Sequence, residues 1–260
     1  MRALEDLDPF LLFDEIGPLL IPSAGPIRFP AHPHRGFEIG TYLLEGEMEH
    51  RDSRGRHDIL RPGDLQWITA GAGLVHSEMP APSLEQRGRF HGFQLWVNLP
   101  RDRKMMTPRY QEMAAAQVPV ARNLNRDVEV RVLAGESFGR RSLIETQTPV
   151  AFLHFTLQPG AEYAQDVPLH WSACAYVISG QAEIGASRLN QGQLAIFAAD
   201  GESIALSNPA AAQPADLLLF AGQPLHEPVA RWGPFVMNTR EEIAQAVEDF
   251  RAGRMGALAE

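Results

Sequence analysis

Two short segments carry side chains that can do metal chemistry. One reads Ala31-His32-Pro33-His34-Arg35-Gly36 and the other Val75-His76-Ser77-Glu78-Met79-Pro80. In extended backbone, residues i and i+2 point to one side, roughly 7 Å apart along the chain. The spacing therefore makes His32/His34 and His76/Glu78 two two-pronged donors. Three neutral imidazoles and one carboxylate suit a borderline or fairly hard divalent ion such as Fe(II), Mn(II), Ni(II) or Cu(II), with octahedral positions left open for water, oxygen or substrate. No thiolate competes for the role. His50, His57, His91, His154, His170 and His226 stand singly and read as surface or satisfied core residues. Pro33 is confined to a strand start, edge or bulge, which puts His32 and His34 at a strand's entry, near a cavity mouth. Tandem histidines also arise by chance, and spacing alone leaves both readings open.

The elements that must position these residues are short strands. Residues 9–13 form an apolar run. Residues 17–30, with four prolines and two glycines, predict a loop leading into the first histidine pair. Residues 38–45 predict a strand broken by Gly46, and a hairpin follows around Ser53-Arg54-Gly55-Arg56. After the Pro62-Gly63-Asp64 turn and a strand at 65–69, the Ala70-Gly71-Ala72-Gly73 bend delivers His76 and Glu78. Residues 90–99 predict a strand with Phe93, Leu95 and Val97 on one side and Gln94, Trp96 and Asn98 on the other. Thr107-Pro108 predicts the opening of a short helix. Further strands are predicted at 127–134, 143–147 and 150–157.

The second half repeats the first. Tyr42 to Gly46 corresponds to Tyr176 to Gly180, and Gly63-Asp64-Leu65 to Gly192-Gln193-Leu194. Carried on, that alignment puts Ala205 at the place of His76, Ser207 at that of Glu78 and Pro168 at that of His34, so the repeat keeps the turns and lacks the ligands. Near the end, Thr239-Arg240-Glu241-Glu242 is a capping box, followed by Ile243, Val247 and Phe250 at helical spacing and Gly253 as a stop.

Several of these stretches together resemble the pirin family of iron-binding cupins: HPHRGFE, TYLLEGEMEHRDS, RPGDLQWITAGAGLVHSEMP, HGFQLWVNLP and GPFVMNT with its following helix. The resemblance runs in order from about Asp8 to Gly253. It implies an all-β fold of two antiparallel β-barrels of cupin type with a short C-terminal helix. Residues 1–119 would form the metal-binding barrel, and 120–260 a barrel without ligands that also carries the helix. It implies that His32, His34, His76 and Glu78 hold the metal, Fe(II) first, with Mn, Ni, Cu or Zn as other candidates. The general cupin pattern offers Glu38 instead; the pirin pattern favours Glu78. For function the resemblance implies a dioxygenase that opens quercetin-like flavonols with O2 and releases carbon monoxide, with Glu78 also accepting a proton. A second class is an iron-dependent, redox-sensing regulator that binds transcription factors or metabolic enzymes as protein partners.

Composition narrows the rest. At 260 residues the chain is long enough for two domains that each bury a core. Apolar residues make up 45%, with 20 prolines and 22 glycines, which suits many short strands and turns. The 32 acidic against 23 basic residues, a net charge of −9, give no footprint for direct nucleic-acid binding. Cys174 is the single cysteine, so no internal disulfide forms. The start lacks the pattern of a signal peptide and no apolar run is long enough to span a membrane, so a cytoplasmic location is expected.

Overall fold

A computed structural model describes residues 7–21, 29–81, 88–209 and 212–258. Residue contacts divide the chain into two compact units, Met1–Gln117 together with Leu225–Glu260, and Val118–Pro224.

In the first unit the strands are β1 (Phe10–Ile21), β2 (Phe29–His34), β3 (Phe37–Glu45), β4 (Met48–Asp52), β5 (His57–Leu60), β6 (Leu65–Thr69), β7 (Leu74–Pro80), β8 (Gly88–Asn98) and β9 (Arg109–Met113). They form one sheet in the order β1-β8-β3-β6-β9 and another in the order β2-β7-β4-β5. Two apolar clusters draw on both sheets. Phe37, Ile39 and Ile68 pack with Leu74, and Leu43 and Phe90 pack with Met48 and Leu60.

The second unit holds β10 (Val120–Arg122), β11 (Val128–Ala134), β12 (Glu136–Ser137), β13 (Arg140–Arg141), β14 (Val150–Leu157), β15 (Glu162–Asp166), β16 (Ser172–Ser179), β17 (Gln181–Ile184), β18 (Ser187–Asn190), β19 (Leu194–Ile196), β20 (Ser203–Ser207) and β21 (Ala215–Gly222). A sheet ordered β10-β11-β14-β21-β16-β19 and another ordered β15-β20-β17-β18 share one core. Along β11, Val128, Val130 and Val132 are buried while Glu129 and Arg131 are half-buried, the period-two pattern of a strand with one face on the core. The positions predicted to correspond to His76 and Glu78, Ala205 and Ser207, both lie on β20.

The described residues are all-β with one short helix, as the sequence implied, but the barrels are not closed. Each unit is built on two larger open sheets with a two-stranded ladder beside them, because the chain leaves one ladder and enters the other through turns. Gly46, at φ +89°, separates β3 in one sheet from β4 in the other. The loop expected at 17–30 is also corrected: β1 continues through Gly17-Pro18 to Ile21 by way of a register shift between Ile16 and Leu19. Of the remainder of that expectation, Phe29 and Pro30 open β2, and residues 22–28 lie outside the described residues. The helix expected from Thr107-Pro108 is instead β9, which pairs Tyr110 with Ile68 and so completes the edge of its sheet.

The C-terminal stretch belongs with the first unit, not with the second half as the 120–260 division had it. It contains β22 (Ala230–Trp232), β23 (Phe235–Met237) and α1 (Arg240–Arg251). Thr239 caps α1 as expected. Its side chain accepts from the Glu242 amide while the Glu242 carboxylate accepts from the Thr239 amide. Ala246 and Met255 bury themselves against Val75, next to His76 in β7. Arg35 pairs with Asp249 of α1 at 2.7 Å and donates to the Ala72 carbonyl. Between His34 and Phe37, Gly36 has φ +89°, and a Cβ there would lie 1.9 Å from the Val236 carbonyl oxygen, so only glycine allows this approach. Buried Lys104 donates to the carbonyls of both Gly36 and Val236 and to Asn98 Oδ1. Burial draws its ammonium down to about 8.

Candidate metal centre

The two histidine segments are neighbouring strands. β2, at a sheet edge as Pro33 requires, pairs with β7 so that His32 lies opposite His76. On the other side of β7, β4 places His50 opposite Glu78. Pairing brings the separate i, i+2 doublets together in space. The ring centroids of His32, His34 and His76 stand 4.4 to 4.8 Å apart. Donor atoms of these three lie within 4.8 Å of one another, and so do those of a second group, His50, His76 and Glu78.

The donors fit a divalent ion. The Nε2 atoms of His32 and His76 are 2.9 Å apart. Two imidazole nitrogens bound at a right angle, each about 2.0–2.1 Å from a metal, stand ~3 Å apart. His32 Nδ1–H donates to the Pro30 carbonyl at 2.8 Å, which fixes the tautomer whose Nε2 carries a lone pair. His34 Nδ1 and His76 Nδ1 are buried without a hydrogen-bond partner. Burial holds all these rings in the neutral form that binds metal. It lowers His32 despite the Pro30 bond, takes His34 down to about 3, and holds His76 well below the usual imidazole value, with neighbouring histidines adding to the last two shifts.

Glu78 faces the opposite sheet. Its Oε2 accepts from Gln94 Nε2 at 3.0 Å, and Oε1 accepts from the same amide and from Thr41 Oγ1, each at 3.3 Å. Gln94 Oε1 accepts in turn from Trp96 Nε1 at 2.8 Å, so the amide that holds the carboxylate has its own orientation fixed. Burial pushes the Glu78 carboxyl up to about 7 in spite of these donors. A cation beside it removes that penalty by favouring the charged form. The Trp96 ring lies 4.4 Å from Phe37 and 5.1 Å from His34, and the Arg231 guanidinium lies over it.

All four predicted ligands therefore meet between the two sheets of the first unit, though as two triads sharing His76 rather than one tight set. Glu38 is buried elsewhere on β3, where it accepts from Thr69 Oγ1 at 2.7 Å, and is in neither triad. His57 and His91 are paired with Glu49 and Glu15. Single-residue reading missed His50: it belongs to no doublet, and only the β4–β7 register brings it to Glu78. Its one signal was position, two residues before Asp52 on a strand of the same sheet. Pro234 was missed as well; its carbonyl hydrogen-bonds His34 from 200 residues downstream.

Open cupin-type sheets around a buried histidine cluster define a class, and comparison with known proteins narrows it. Residues 1–97 match the profile described as Pirin and residues 152–256 that described as Pirin C-terminal cupin domain. A pirin-like protein of Solanum lycopersicum is 43% identical over 255 residues, covering 97% of this chain and 84% of that protein. The chain belongs to the pirin family. Among solved structures, a quercetin 2,3-dioxygenase from Acinetobacter baumannii has a TM-score of 0.88 and 35% identity, covering 96% of this chain and 87% of the other. The bacterial pirin YhhW of Escherichia coli, solved in complex with nickel(II), shares the fold at a TM-score of 0.65 and 22% identity, covering 84% and 83% of the two chains. No helix among the described residues is long and apolar enough to cross a membrane.

Proposed function

We propose that this protein is a metal-dependent dioxygenase that opens the ring of quercetin-like flavonols with O2. Its metal, Fe(II) first and nickel among the other candidates, is held by His32, His34, His76 and Glu78. The observation that carries this reading is a set of buried, neutral imidazoles with unpartnered ring nitrogens, next to a carboxyl whose pKa is near 7. The likeness to a quercetin 2,3-dioxygenase at 35% identity supports the substrate class.

A divalent ion in this position supplies Lewis-acid polarisation of the substrate's adjacent hydroxyl and carbonyl oxygens. The protein's own groups do the rest. Glu78, the buried carboxylate of the set, accepts the flavonol hydroxyl proton. Gln94 and Thr41 keep its oxygens aimed. Phe37 and Trp96 provide an apolar, aromatic wall suited to a flat polyphenol and exclude water from the reacting carbons.

The test is metal analysis of protein purified without chelator, followed by oxygen uptake with a panel of flavonols. At saturating metal, Glu78→Gln should cut turnover far more than metal content, while His76→Ala lowers both together. Metal-loaded wild type that consumes no oxygen with quercetin or its relatives under air ends the enzyme reading.

A further inference from the structure

Among the described residues of the first unit, His50 stands out as a buried side chain with both polar atoms unpartnered. It is fully buried, and neither ring nitrogen has a hydrogen-bond partner. A buried imidazole always has at least one N–H to satisfy, and leaving it bare costs about 1–3 kcal/mol. Native proteins meet such a need with an ordered water or a bound ligand. The neighbours of His50 say which: a nitrogen of His50 lies within 4.8 Å of donor atoms of both His76 and Glu78, and its ring stands 5.2 Å from that of His76 and 5.5 Å from that of Tyr110.

These distances separate two roles. Groups that each hydrogen-bond one small oxygen atom at ~2.8 Å stand up to ~5.6 Å apart. Groups that share one ion at about 2.1 Å stand no more than ~4.2 Å apart. The His50 ring stands farther from His76, at 5.2 Å between centroids, than the 4.4 to 4.8 Å found among His32, His34 and His76, which places it at the outer of these two distances. We propose that His50 is a working residue of the centre that hydrogen-bonds an exchangeable small ligand, a water or a small anion, which would accompany a metal bound beside His76 and Glu78. This rests on the metal reading above. In that role His50 fixes which end of an incoming oxygen-rich molecule is held, without contributing to the hold on the metal.

The experiment compares wild type, His50→Gln, His50→Phe and His76→Ala, each loaded with nickel(II) or cobalt(II). Metal content is read by elemental analysis, and binding of azide, the probe anion, by its visible absorption. The expected result is that both His50 variants keep about one metal per chain while azide binding weakens ~10-fold or more in His50→Phe and less in His50→Gln, which retains a donor. Metal loss in His50→Gln as complete as in His76→Ala makes His50 a ligand and overturns the proposal. Unchanged azide affinity in metal-replete His50→Phe makes it a packing residue and also overturns it. Wild type that binds no metal defeats the metal reading itself, and is told apart from the other failures by the wild-type sample alone. Should His50→Phe fail to fold, His50→Gln carries the comparison.

Discussion

Replacing Gln94 with methionine removes one amide and leaves nearly the same volume. Glu78 would lose contacts of 3.0 and 3.3 Å from a single N–H donor group, keeping only Thr41. A hydrogen bond to a charged acceptor is worth about 1.5–3 kcal/mol, which is ~1–2 pKa units. Starting from about 7, the carboxyl of the metal-free protein would then titrate near ~8–9. At pH 7 the ionised fraction falls from about a half to roughly 1–10%, so metal affinity should drop ~5- to 50-fold, since the ligand must be deprotonated to bind. The same proton competition fades as pH rises. Chelator competition with nickel(II) between pH 6.5 and 9 should show a gap between variant and wild type that narrows steadily toward pH 9. Equal affinities throughout, or a gap that does not change with pH, would refute the reasoning that Gln94 acts by keeping Glu78 charged.

Other expectations follow from the same geometry. His32→Ala and His76→Ala should each abolish tight metal binding while His226→Ala leaves it intact, with one metal per chain in well-washed wild type; a value near two would mean the second unit also binds. Asp249→Ala strands the Arg35 guanidinium, which is only 4% exposed, and should destabilise the first unit by about 3–5 kcal/mol, lowering its thermal midpoint on the order of 10 °C. The Arg35→Met, Asp249→Leu double variant should recover much of that loss, and a double variant no more stable than Asp249→Ala would remove the stranded charge as the cause. In metal-free protein, burial lowers His32, His34, His50 and His76. The unfolded chain takes up protons below 6.5 that these rings refuse, so their contribution is full above 6.5 and drains as pH falls, toward about 4 for His50 and about 3 for His34. Glu78, raised to about 7, runs the other way, its contribution being lost as pH rises from 4.5 through 7. Four imidazoles outnumber one carboxyl, so chemical denaturation should show falling stability from pH 7.5 to 5; a flat or rising profile sinks the account.

The parts of the centre written in local spacing were legible. An i, i+2 doublet needs only an extended strand to become a two-pronged donor, and both doublets lie on strands. The capping box at Thr239 is likewise complete within four residues. Features that depend on which strands pair were not legible. His50 reaches the centre only through the β4–β7 register, and the sheets' failure to close into barrels depends on turns such as Gly46 that send the chain from one ladder to another. Pro108 misled because proline opens helices and precedes edge strands equally well, and the free edge of β6 decided for β9. The return of residues 225–258 to the first unit rests on long-range pairs such as Arg35–Asp249, of which each half looks like an ordinary surface charge.

That return sets the order in which the protein can be finished. The first unit is interrupted by the whole of Val118–Pro224, so β1 to β9 leave the ribosome without the Pro234 carbonyl that bonds His34, the Val236 backbone that packs on Gly36 and the Asp249 carboxylate that neutralises Arg35. Translation of the intervening stretch at ~5–20 residues per second occupies roughly 5–20 s. During that interval the second unit, contiguous in sequence, is free to close while the histidine strands wait for their far flank. The histidine cluster is thus made first and completed last, when residues 225–258 arrive to flank it.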